Sequence, residues 1–162
     1  MKPLLIIIFL LTSSLAKCQN DLLPNEEIVL YFTTNNGKSV MLAKDQDDKY
    51  LVYRFGSDKN IELEFPKKNK DSWKLFKYSY YHRGGGPENA GMDLSHVAFT
   101  NGDFEYMIYQ SYYAESESFE IGIRVENLKT NKSIDIKGDY DSKQGNLHDL
   151  PERDLLEPDN RI

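Results

Sequence analysis

The dipeptide Asn101-Gly102 lies between two runs that are rich in apolar residues. It is the strongest short-range signal of a β-hairpin, because a type I′ turn needs a positive φ at both central residues. A two-residue turn at this position predicts two cross-strand pairs, Phe99 with Phe104 and Val97 with Tyr106. These four side chains share one face of the hairpin, which is predicted to be buried. The sequence therefore predicts a β-sheet with an aromatic core.

Period-two alternation recurs between short polar turns along most of the chain. Asn36-Gly37 predicts a hairpin that pairs Phe32 with Met41, and a later hairpin brings Arg54 opposite Glu62. About eight or nine such strands follow one another, and no long stretch has helical periodicity. The predicted fold is an all-β antiparallel meander, either closed as a barrel or folded as a sandwich, with a short irregular C-terminal tail.

The first 18 residues have the pattern of a secretory signal peptide. A positive start is followed by the apolar run Leu4–Leu11 and a small-residue exit, and this run is too short to span a membrane. Leu15–Cys18 is similar to a lipobox, although Lys17 departs from the small residue expected there. The protein is therefore expected to be exported, to the periplasm or to the exterior. It is either soluble, which the departure at Lys17 favours, or lipid-anchored through Cys18.

The sequence divides into a signal peptide at 1–18, one antiparallel β domain at 19–145 and a tail at 146–162, expected to be poorly packed. The candidate anchors of this tail are Leu147, Leu150, Leu155 and Leu156. Cys18 is the single cysteine, so no internal disulfide forms. The domain must rely on its core, for which about 144 residues are enough.

The chain is acidic, with a formal net charge of −6, and loss of Lys2 and Lys17 with the leader makes it −8. This charge argues against nucleic acid and anionic membranes as partners and suits a basic protein. No transmembrane segment is expected after cleavage of the signal peptide.

The segment from Tyr80 to Glu88 is the candidate binding site. Three consecutive glycines leave the backbone free to approach a partner, Arg83 offers a planar donor fork, and tyrosines supply contact area. The proposed recognition residues are Tyr80, Tyr81, His82, Arg83, Gly84, Gly85, Gly86 and Glu88. The alternative is that this segment is an ordinary wide loop between strands, without a binding role.

The sequence offers little support for catalysis. His82, His96 and His148 are widely spaced and lack neighbouring ligands at metal-binding intervals, so neither a metal nor a cofactor is expected. No Gly-x-Ser-x-Gly elbow is present. We therefore expect no catalytic residues, and binding is favoured over enzymatic activity.

Tyr-Arg-Phe-Gly at 53–56, the run Gly84–Gly86 and Phe-Thr-Asn-Gly at 99–102 resemble a mostly uncharacterised family of small exported bacterial β-domain proteins. The resemblance covers roughly residues 38–126 and implies no catalytic residues, because the family has no settled activity. The cysteines that members carry near the second and last strands are missing here. In architecture alone, the chain is also similar to periplasmic lysozyme inhibitors, which are small exported β-barrels.

These observations favour an exported, non-enzymatic protein-binding module, for instance an inhibitor or immunity protein against a basic hydrolase that attacks the cell envelope. The alternative is a carbohydrate-binding module that uses exposed tyrosines.

Overall fold

The computed structural model of the protein describes residues 21–57, 60–150 and 155–161. The predicted signal peptide, including Cys18, lies outside these residues. The described part of the chain consists of ten β-strands, short 3-10 turns and loops, and contains no α-helix. The prediction of an all-β, mostly antiparallel fold is confirmed.

One curled sheet contains all ten strands. The first five are β1 (Glu26–Thr34), β2 (Ser39–Asp45), β3 (Leu51–Ser57), β4 (Asn60–Phe65) and β5 (Phe76–Arg83). The others are β6 (Met92–Asn101), β7 (Phe104–Tyr113), β8 (Ser118–Asn127), β9 (Lys132–Gly145) and β10 (Glu157–Pro158). Their order in the sheet is β10-β5-β6-β7-β8-β9-β1-β2-β3-β4, and only β10 and β5 pair in parallel. The result is a half-barrel with β4 and β10 at its edges.

Side chains on the concave face form rows across β5 to β8, because successive residues of a strand point to opposite faces. The rows are Phe76–Phe99–Tyr106–Val125, Tyr78–Val97–Ile108–Ile123, Tyr80–Ser95–Gln110–Ile121 and His82–Asp93–Tyr112–Phe119. The first two rows pack against apolar residues of β1 to β3 and form the core. The last row is polar and aromatic and lies at one rim of the half-barrel, next to the strand ends.

The central hairpin of β6 and β7 has the predicted buried face but not the predicted register. The structure pairs Asn101 with Phe104 and Phe99 with Tyr106, so the two-residue turn begins at Gly102. Gly102 has a φ of +61° whereas Asp103 has no positive φ, which is the pattern of a type II′ turn, so the predicted type I′ turn is wrong. A displacement of two residues keeps Phe99 on the buried face, because side chains alternate with a period of two.

The hairpin of β1 and β2 is displaced by one residue from its prediction. Phe32 pairs with Val40 rather than with Met41, because three residues, 35–37, separate the paired strand ends. Gly37 takes a φ of +80°, as such loops require of their last residue. This slip places Met41 on the convex face, where it belongs to a second, smaller apolar cluster.

The predicted pairing of Arg54 with Glu62 is also wrong. The turn pairs Gly56 with Ile61, and a further register shift between Phe55 and Gly56 brings Arg54 opposite Glu64. The Glu64 carboxylate accepts a hydrogen bond from the Arg54 Nε at 2.8 Å. The other two guanidinium nitrogens donate to the two oxygens of Glu26 at 2.7 and 2.8 Å. The pair is buried, with 4% of the Arg54 side chain and 0% of the Glu26 side chain exposed.

Strand β9 joins the two halves of the sheet, and it extends beyond the strand predicted to end near Lys137. Its first half pairs with β8 and its second half with β1, and the change of partner falls at Gly138. A Cβ at Gly138 would lie 2.4 Å from the Phe32 ring, so only glycine permits this close packing.

The described residues of the C-terminal tail, 146–150 and 155–161, pack against the half-barrel, so the expectation of a poorly packed tail is wrong for this part of the chain. Leu147, Leu150 and Leu156 are buried in the core, whereas Leu155 is exposed. Three of the four candidate anchors therefore hold the tail, because each covers apolar surface that the curled sheet leaves open.

The last described residues contact the convex face of β6. Asp159 Oδ2 lies 3.0 Å from Nε2 of the buried His96, and Arg161 donates to Asp159 and to Glu105. The hydrogen bonds from Arg161, followed by the one with His96, lower the pKa of Asp159 to about 2. The pKa of this carboxyl group is thus lower in the folded chain than its ordinary value of 3.8.

Replacing Asp159 with asparagine will lower the free energy of unfolding at pH 7 by about 1–2 kcal/mol. A carboxyl whose pKa is depressed by folding stabilises the protein above its unfolded pKa, and this stability is lost as the pH falls through the folded value. The difference between wild type and variant should therefore shrink between about pH 4 and pH 2. Urea unfolding across this pH range measures it.

The matched control is Asp103→Asn, since Asp103 forms an exposed pair with Lys129. We expect this variant to change stability by less than about 0.5 kcal/mol at any of these pH values. Equal effects of the two substitutions would contradict the role of Asp159.

Candidate functional site

The polar rim of the half-barrel surrounds the candidate site, which we call the rim cleft. This cavity of about 240 Å³ is lined by Asp93, Gln110, Ser111, Tyr112, Phe119, Tyr140, Lys143, Asn146 and His148. Strands β6 to β9 supply most of these residues, and the chain that follows β9 supplies Asn146 and His148. The cleft therefore depends on packing of the tail as well as on the sheet.

Three aromatic side chains form a continuous row along the cleft. Tyr112 and Phe119 are cross-strand partners whose ring centroids lie 4.6 Å apart, and Phe119 stacks on Tyr140 at 4.8 Å. Phe119 is 52% exposed although it lies at the centre of this aromatic row. Such a large exposed apolar side chain among polar neighbours is typical of a binding surface.

Asp93 lies at the β6 end of the aromatic row, between two imidazoles. His148 Nε2 is 2.7 Å from Asp93 Oδ1, and His82 Nδ1 is 3.6 Å from Asp93 Oδ2. The Tyr80 ring contacts the His148 ring in a T-shaped arrangement at 4.6 Å. The carboxylate of the cluster can accept hydrogen bonds from a ligand or attract a cation, and its ring nitrogens can donate or accept hydrogen bonds.

Lys143 lies at the opposite end of the aromatic row. Its Nζ is 5.7 Å from the Tyr140 ring centroid and donates to the carbonyl of Gly145 at 2.8 Å. Partial burial lowers the pKa of Lys143, because desolvation disfavours the charged ammonium. The cleft thus has a cation at one end and a carboxylate at the other.

Gln110 fixes the turn that carries His148. Its Nε2 donates to Asn146 Oδ1 at 2.5 Å, and its Oε1 accepts from the backbone N–H of Leu147 at 3.1 Å. The same Asn146 oxygen accepts from the backbone N–H of His148 at 3.0 Å. These bonds hold His148 beside Asp93, so the cluster is organised before any ligand binds.

The structure divides the predicted recognition residues between two faces. Tyr80 and His82 point to the concave face and join the cluster around Asp93, whereas Tyr81 and Arg83 point to the convex face. Tyr81 is exposed there. The segment therefore contributes two of its residues to the cluster around Asp93, beside the residues that line the rim cleft.

The glycines and Arg83 organise the loop between β5 and β6. The Arg83 guanidinium donates twice to the carbonyl of Ala90, at 2.9 and 2.6 Å. Gly85 and Gly86 have positive φ angles, and the 3-10 turn Pro87–Asn89, which contains the exposed Glu88, follows them. Gly84 is exposed as well. Arg83 is thus engaged within its own loop.

Sequence reasoning did not assign most of the rim cleft to a site. Tyr112 and Phe119 are close in the sequence as well as in the sheet, because the short turn between β7 and β8 makes them cross-strand partners. For Tyr140, Lys143 and His148 no comparable local signal exists, because β9 changes partner and the tail folds back before these residues reach the cleft.

Comparison of the chain with protein-family models, curated proteins and solved structures finds no match. In the described residues, no helix has the length and apolar character needed to cross a membrane. The described His, Cys, Asp and Glu side chains form no group of three or more arranged to hold a metal ion.

Proposed function

We propose that this chain is an exported, non-enzymatic protein-binding module and that the rim cleft is its binding site. The observation that carries the proposal is the aromatic row, whose central Phe119 is half exposed between charged groups. Protein interfaces concentrate their binding energy in such aromatic clusters surrounded by polar side chains. The organised cluster around Asp93 adds polar groups that can fix the orientation of a partner.

The geometry of the rings favours a protein over the alternative ligand, a carbohydrate. A sugar ring packs on the open face of an aromatic side chain, but Phe119, the central ring of the row, already has an aromatic neighbour on each side, Tyr112 at 4.6 Å and Tyr140 at 4.8 Å. Tyrosines used in this way are typical of surfaces that bind other proteins.

The acidic charge of the chain supports a basic partner, and the signal peptide pattern supports an encounter outside the cytoplasm. An inhibitor or immunity protein that blocks an envelope-attacking hydrolase fits both features. The exposed loop between β5 and β6 is held by internal hydrogen bonds and provides a second, preorganised contact surface beside the cleft.

Replacing Phe119 with aspartate will strongly weaken partner binding without unfolding the protein, since this side chain is already half exposed. Immobilised wild-type and variant proteins are incubated with envelope extracts and with purified lysozymes, and bound proteins are compared. Loss of a central aromatic contact typically costs 2 kcal/mol or more, which is about thirtyfold in affinity.

Phe104→Asp is the matched control, because Phe104 is 40% exposed at the opposite end of β7. A protein captured by wild type and by this control but not by Phe119→Asp would support the proposal. Capture of the same protein by all three would place the binding surface elsewhere, and binding of glycans in an array would favour the carbohydrate alternative.

A further inference from the structure

The two ends of the aromatic row differ in their charged neighbours. At the β9 end, the ammonium of Lys143 lies over the Tyr140 ring. At the β6 end, Asp93 is the direct cross-strand partner of Tyr112. One end of the row therefore already has a cation from the chain itself, while the other end has a carboxylate.

The ring of Tyr112 has its partner in the row on the β8 side, where its centroid lies 4.6 Å from that of Phe119. On the other side of Tyr112 lies β6, whose Asp93 is its direct cross-strand partner, so the β6-side face of the ring is next to this carboxylate. Neighbouring strands are about 4.8 Å apart, so a planar group that packs on this face also lies within reach of the carboxylate. The negative face of an aromatic ring attracts cations.

The groups paired with Asp93 are the imidazoles of His82 and His148. Each imidazole faces a single oxygen of the Asp93 carboxylate, so neither of them occupies both oxygens as a planar donor fork can. His82 is the more exposed of the two and the more distant from Asp93. An incoming cation can therefore approach Oδ2 by displacing a weak, solvent-exposed contact, while His148 remains beside Oδ1.

We propose that the Asp93–Tyr112 end of the rim cleft binds an arginine side chain of the partner protein. The guanidinium packs flat on the Tyr112 ring and at the same time donates hydrogen bonds to Asp93 in its own plane, a combination that the non-planar ammonium of lysine does not offer. This inference rests on the proposed protein-binding function and gives the partner its chemistry, a protruding loop that carries arginine. The acidic charge of the whole chain favours the same encounter.

The test uses ethylguanidinium chloride as a probe of the arginine side chain and follows its titration into isotopically labelled protein by NMR. We expect saturable shifts at Asp93, Tyr112 and His82, and an affinity about tenfold lower in Asp93→Asn, which keeps the side-chain shape but removes its charge. Asp103→Asn should bind as wild type does. The neutral isostere ethylurea and equal concentrations of sodium chloride should give no such shifts.

Shifts that spread over all acidic residues, persist in Asp93→Asn or appear equally with ethylurea would overturn the inference. The spectra themselves show whether each variant is folded. The NMR titration and the capture experiment with Phe119→Asp have independent outcomes. Capture of a protein without the NMR shifts would mean a protein-binding module that has no arginine site. Failure to capture any protein would contradict the proposed function itself.

Discussion

Replacing Glu26 with alanine will lower the free energy of unfolding by about 3–5 kcal/mol, because it leaves the Arg54 guanidinium buried without its main partner. The two Glu26 oxygens accept two hydrogen bonds from Arg54, one from the Tyr50 hydroxyl and one from the backbone N–H of Leu23. Burial by itself would raise the pKa of Glu26, but these bonds, with Arg54 foremost, lower it overall. Urea unfolding at pH 7 measures the loss.

Glu62→Ala is the matched control, since Glu62 pairs with Lys38 at the surface and both side chains are about one third exposed. We expect it to cost less than about 1 kcal/mol. The double variant Glu26→Leu/Arg54→Met should recover much of the lost stability, because an apolar pair of similar volume avoids the cost of desolvating two charges. A loss of only about 1 kcal/mol in Glu26→Ala, equal to a surface pair, would contradict the buried ion pair.

Replacing Phe99 with alanine is expected to lower the free energy of unfolding by about 3–5 kcal/mol. The Phe99 ring joins the two halves of the half-barrel: it lies 4.9 Å from Tyr53 of β3, 4.6 Å from Phe65 of β4 and 4.9 Å from Tyr106 of β7. Its removal leaves a cavity that rigid neighbouring strands cannot close. Chemical unfolding and the fall in Tm report the effect.

Phe104→Ala provides the comparison within the same hairpin and on the same face. Phe104 is 40% exposed, so its replacement should cost less than about 1 kcal/mol. Similar losses in the two variants would mean that the aromatic core does not extend from β6 to β3 and β4.

Local sequence pattern predicted the strands and, in the central hairpin, the buried face of Phe99. Alternation has a period of two, so an error of two residues in the turn left this face assignment intact. An error of one residue in the hairpin of Phe32 moved Met41 to the opposite face. Local pattern does not distinguish a two-residue loop from a three-residue loop, since Asn-Gly suits both.

The sequence by itself determined an all-β chain with short turns and an aromatic core, because these depend on side-chain alternation and turn chemistry within a few residues. Only the tertiary structure decided the half-barrel, the buried contact of Arg54 with Glu26 and the composition of the rim cleft. Tyr140 reaches Phe119 because β9 changes partner at Gly138, and His148 reaches Asp93 because the tail buries Leu147. Such contacts join residues distant in the chain, and their positions depend on how the whole sheet curls around its core.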